Sequence, residues 1–79
     1  MKHAILVTAP AAPTSLYDLI KHSDPNTDGI LLQLDGGIVK YGNRSNQPFV
    51  LTTEIFLHNQ RNTKGVYVSG GGTVIVGLF

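Results

Sequence analysis

The chain has 79 residues, no cysteine, six Lys/Arg against five Asp/Glu, and a formal net charge of +1. The missing thiols exclude disulfides and thiolate metal sites, and the scattered basic residues lack the stripe with interleaved aromatics that a nucleic-acid surface needs. Hydrophobic residues at 42% with charged residues at only 14% describe one small folded domain, spanning 1–79, with surface that other subunits can cover.

The first apolar run, Ala4 to Val7, is too short for the apolar core of a signal peptide. It reads as an opening strand over Ala4–Thr8, and no stretch reaches the roughly 20 apolar residues of a membrane span. Pro10 and Pro13 then impose an extended link. The segment TSLYDLIKHS, residues 14–23, is the one helical signal. Ser15 is placed to cap it, with Asp18 three residues on, and Leu16, Leu19 and Ile20 share a face. Lys21 and His22 fall where positive charge suits the helix dipole. A helix of about two turns has to dock on a sheet to persist.

The stretch DPNTDGILLQLD, Asp24 to Asp35, matches much of a calcium-binding loop. Asp24, Asn26 and Asp28 supply oxygens, and Gly29 holds the turn position. Asp35 stands where a longer Glu is needed, and a β pattern replaces the exit helix. The stretch therefore reads as a helix-to-strand turn whose Asp, Asn and Gly residues tolerate turn geometry.

From Ile30 onward the pattern is β. Ile30–Leu34 is a strand, Asp35-Gly36-Gly37 a hairpin turn, and Ile38–Tyr41 the return strand. Gly42–Pro48 is a polar loop. Phe49–His58 reads as one long strand bent near Thr52 and Thr53, and Asn59–Lys64 as a polar turn. Val66–Ser69 and Thr73–Phe79 form a last hairpin around three glycines. About six short strands with regular turn signals predict an all-β fold, a small antiparallel β-sandwich or barrel with one short N-terminal helix. If Val66, Val68, Val74, Val76 and Leu78 fill the core, then Val50, Phe56, Tyr67, Ile75 and Phe79 sit on outward faces. Those five are the candidate interface residues. A strand that is apolar on both faces, as Thr73–Phe79 is, lies either between two layers or against a neighbour.

Candidates for chemistry are sparse. His3, His22 and His58 share no metal-ligand spacing. Glu54 and His58 lie on one strand face about 13 Å apart, too far to share a metal or a proton. Ser15, Ser23, Ser45 and Ser69 have no motif around them. SGGGT is followed by a strand, not by the Lys and helix of a phosphate loop. Asn43-Arg44-Ser45 is formally a glycosylation sequon, expected to be unused without a secretory signal. Neither an enzymatic activity nor a cofactor is expected.

The order PTSLYDLI, then LLQLDGGIVKYG, then a hairpin ending GGGTVIVGLF, resembles small structural proteins of tailed bacteriophages. The resemblance runs over roughly Pro13 to Phe79. It implies a compact β-sandwich located in the virion, a capsid decoration (cement) or head–tail accessory protein. It further implies a homo-oligomer, a trimer at local three-fold sites, whose partner is the major capsid protein or another virion component. No catalytic residue comes with it. An alternative is a receptor- or glycan-binding module of a tail or fibre, using the Gly42–Pro48 loop with Tyr41 and Arg44, and the Asn59–Lys64 turn.

Overall fold

A computed structural model describes residues 3–21, 28–58 and 63–79. In chain order the strands are β1 (His3–Thr8), β2 (Thr14–Ser15), β3 (Gly29–Gly36), β4 (Lys40–Gly42), β5 (Phe49–Val50), β6 (Glu54–His58), β7 (Tyr67–Ser69) and β8 (Thr73–Leu78). Helix α1 (Leu16–Ile20) follows β2, and a single 3-10 turn (Thr63–Gly65) precedes β7. The first sheet has the order β1-β8-β3-β6 and the second the order β2-β7-β4-β5. Every pairing is antiparallel. The protein is a small all-β sandwich.

Strand alternation explains the core. In the first sheet Ile5, Val76, Leu32 and Ile55 stand side by side across all four strands. With Val7, Val74, Ile30 and Leu78 they point between the sheets. Val66, just before β7, and Val68 of the second sheet meet them, and Val66, Val68, Val74, Val76 and Leu78 are all buried, as the alternation predicts. Leu16 and Ile20 of α1 close one side of the same core.

The connectivity departs from the sequence reading in three places, and one cause accounts for all three. The chain switches sheets where neighbouring-strand hairpins are expected. Asp35-Gly36-Gly37 does not make a hairpin. Gly36 stays in β3, paired with Thr73 past a bulge after Leu34, and both edges of β3 are already occupied by β8 and β6. Gly37, at φ +73°, instead turns the chain out toward the second sheet, with Val39 buried on the way. Phe49–His58 is two strands in different sheets. Between them Leu51 is buried and donates its N–H to Val39 O, while Leu34 N–H reaches Thr53 O. The final "hairpin" is also a crossing, from β7 in the second sheet to β8 in the first. Short strands with one strongly apolar face bury more when they face each other across the sandwich than when they lie side by side. Among the described strands only β4 and β5 are neighbours both in sequence and in a sheet, so Gly42–Pro48 is a true hairpin loop.

Two of the crossings pass one another in contact. Gly72 N–H donates to Ile38 O and Ala9 N–H to Gly72 O, both at 2.8 Å. A Cβ on Gly72 would lie 2.5 Å from Gly36 O and 2.7 Å from Ile38 N. Glycine is needed there for space, and at Gly70 and Gly71 for φ values of +110° and +91°. The helix is shorter than its pattern. Ser15 does cap it, its Oγ accepting from Asp18 N–H at 3.2 Å. Lys21 adopts a left-handed conformation and ends it, so Lys21 follows the last turn instead of belonging to it. His22 lies outside the described residues.

Candidate functional site

The outward face of the first sheet is built by the same alternation as the core. One row across the four strands is Leu6, Ile75, Gln33 and Glu54; the next is Ala4, Gly77, Leu31 and Phe56. Leu6 is 60% exposed, and Leu31, Phe56 and Ile75 are half-buried with no described layer above them. Two glycines shape this surface. Gly77 lies between Ala4 and Leu31, and Gly29 lies beneath the Phe56 ring, which occupies the space that any side chain at Gly29 would need. Phe79 meets Phe56 edge to face at 5.0 Å, and the His58 ring lies tilted against Phe56 at 4.6 Å. Among the described residues, charge on this face is confined to the margins. Glu54 accepts a hydrogen bond from Gln33 Nε2 (3.3 Å), and Asp35 at the bulge accepts one from Thr73 Oγ1 (2.9 Å).

The five candidate residues therefore divide. Phe56, Ile75 and Phe79 come together on this face. Tyr67 and Val50 lie on the outward face of the second sheet, with Lys40 and Ser69. That face is partly roofed by its own loop. Gly42 has the backbone of Asn46 and Gln47 packed against it, and Ser69 Oγ donates to Gln47 Oε1 at 3.3 Å. Val50 remains 56% exposed at its edge. Leu6 and Leu31 also belong to the first-sheet face. Their alternation with Ile5, Val7, Ile30 and Leu32 was the available signal, but it marks an outward face only once the inward one is known.

At the open edge between the sheets, a cleft of about 260 Å³ is lined by Tyr41, Gly42, Asn43, Phe49, Leu57 and Val66. Tyr41 and Phe49 stack at 5.3 Å, and Phe49 is 57% exposed. Asn43 is committed to the loop itself, because its Oδ1 accepts from the N–H groups of Ser45 and Asn46, both at 2.9 Å. The polar turn expected at Asn59–Lys64 is described only from Thr63, where Lys64 Nζ lies 4.9 Å from the Tyr17 ring centroid.

The calcium-like stretch does not close into a loop. Asp24 and Asn26 lie outside the described residues, but Asp28 and Asp35 stand at opposite ends of β3, roughly 23 Å apart at strand rise. No three His, Cys, Asp or Glu among the described residues gather as a metal site. SGGGT crosses between sheets. No family model matches this chain, and neither a curated protein nor a solved structure does.

Proposed function

We propose that this protein is a structural module of a virion, a capsid decoration or cement protein that self-associates and docks on the capsid lattice through the outward face of the first sheet. The observation that carries this reading is the apolar surface formed by Leu6, Leu31, Phe56, Ile75 and Phe79, on which the charged side chains among the described residues stand only at the rim. Such a surface gains by being covered, at about 25 cal/mol per Å² of apolar area removed from water. The phage identity of the lattice comes from the segment resemblance. The partner is then the major capsid protein or a neighbouring virion protein, and no reaction is performed.

The test is co-sedimentation with capsids that lack the protein, together with its detection in purified virions. Leu31→Thr combined with Ile75→Thr keeps strand propensity and trims the apolar face. It is expected to weaken capsid binding by about 2 kcal/mol, roughly thirtyfold. Absence from virions, or unchanged capsid binding by the double variant, refutes this reading. The stacked Tyr41–Phe49 pair beside an open cleft supports a second reading, a receptor- or glycan-binding module. That reading is the weaker one, because Asn43 is already consumed in bracing its own loop.

A further inference from the structure

We propose that the free edge of β1 pairs with β1 of a second copy of this chain. The two strands run antiparallel with Leu6 opposite Leu6 on a two-fold axis, joining two first sheets into one of eight strands. The proposal rests on the reading of a self-associating module and names the surface that does it. β1 lies at the end of the first sheet, and among the described residues no strand lies beyond it. Ala9 N–H donates to Gly72 O, in register with the β1–β8 ladder. Antiparallel alternation then turns the backbone groups of residues 3, 5 and 7 toward β8. Those of Ala4, Leu6 and Thr8 point away, three N–H and three C=O groups in a row. β8 follows the complementary rule, since Phe79 N–H donates to Gly29 O of the strand on its other side.

Natural sheets protect long edges with charges, prolines or bulges. The other edge of the first sheet, β6, carries Glu54 and His58, and the edges of the second sheet are the two-residue strands β2 and β5. β1 has six residues, its register against β8 is unbroken, and from Ala4 to Thr8 it carries neither charge nor proline. The partner is a second copy because an antiparallel edge is complementary to itself. With Leu6 opposite Leu6, Ala4 faces Thr8 of the partner subunit, and all six outward groups of each copy are paired. Shifting the register by two residues leaves some of them unpaired. The same arrangement carries the outward row Gln33–Ile75–Leu6 straight across the axis, doubling the apolar face. A two-fold dimer replaces the trimer that the resemblance implies.

The chain has no cysteine, so a single introduced thiol reports the register directly. Light scattering is expected to show a dimer. Leu6→Cys, at an exposed position, is expected to crosslink under mild oxidation, because directly opposed residues of a hydrogen-bonded antiparallel pair lie about 5.5 Å apart at Cα, within disulfide reach. Thr8→Cys is expected not to crosslink with itself, its copy lying roughly 14 Å away. Leu6→Lys places like charges in opposition and is expected to raise the dimer dissociation constant at least tenfold with an unchanged circular dichroism spectrum. A trimer, a Thr8→Cys crosslink equal to that of Leu6→Cys, or an oligomer indifferent to Leu6→Lys overturns edge pairing and leaves self-association standing. A monomer at millimolar concentration overturns edge pairing and self-association together, while presence in virions still decides capsid docking on its own.

Discussion

At the residue scale, the glycines between β7 and β8 act in two physically different ways. Gly71 has a φ of +91° with open space where a Cβ would point. Gly72 has no such φ, but backbone atoms of Gly36 and Ile38 close around it. Gly71→Ala therefore meets only backbone strain, about 1–2 kcal/mol. Gly72→Ala must push two crossings apart and is expected to cost about 3 kcal/mol, a large part of the stability of a domain this small. Urea denaturation of both variants checks the order, and equal losses would show that the crossings are not packed together as described. Phe56 and Gly29 form a similar pair on the outward face, where a missing Cβ makes room for a ring. Thr63 is buried, and its Oγ1 has no partner among the described residues.

At the element scale, α1 shows how far local rules reach. Its cap was legible, since Ser15 with Asp18 three residues on is a local signal, and Ser15 Oγ does accept from Asp18 N–H. Five helical residues have little intrinsic stability, so the helix depends on this cap and on burying Leu16 and Ile20. Ser15→Ala is expected to cost about 1 kcal/mol and to speed hydrogen exchange at the Asp18 amide, measured by NMR. Unchanged exchange at Asp18 would count against the cap. The last turn was less legible, because the left-handed Lys21 that ends the helix has no glycine to announce it. β1, β3 and β8 lie close to the strands that their patterns predict, whereas β2 falls inside the segment that reads as helix and Phe49–His58 divides into β5 and β6. Strand partners were not legible, because Asp35-Gly36-Gly37 and the three-glycine run are turn chemistry that serves a sheet crossing as readily as a hairpin. The outward face followed the same division. Phe56, Ile75 and Phe79 were identified by alternation, but Val50 and Tyr67 belong to the opposite sheet, and Leu6 and Leu31 were recognisable only after strand pairing was known.

At the scale of the whole molecule, nearly all pairing is non-local. His3 pairs with Leu78, β3 lies between β8 and β6, and among the described strands only β4–β5 forms a local hairpin. Chain-closure entropy is lost before those contacts form, so refolding is expected in the millisecond-to-second range, followed by stopped-flow circular dichroism. A microsecond refolding phase carrying the full amplitude would contradict this topology. The same topology bears on assembly, since strands from both ends of the described chain are brought together in the first sheet and give it an apolar outer face and, at β1, an edge that no other described strand covers. The sequence by itself determined the class of fold, the alternation that puts Val66, Val68, Val74, Val76 and Leu78 on inward faces, and the capping of the helix. Each of these follows from side-chain period or from a contact within a few residues. The tertiary structure alone decided which sheet each strand joins, which apolar residues share an outward face, and which strands end each sheet among the described residues. Those outcomes depend on pairings between distant segments, and in strands this short several pairings satisfy the same alternation until the packing of both layers selects one.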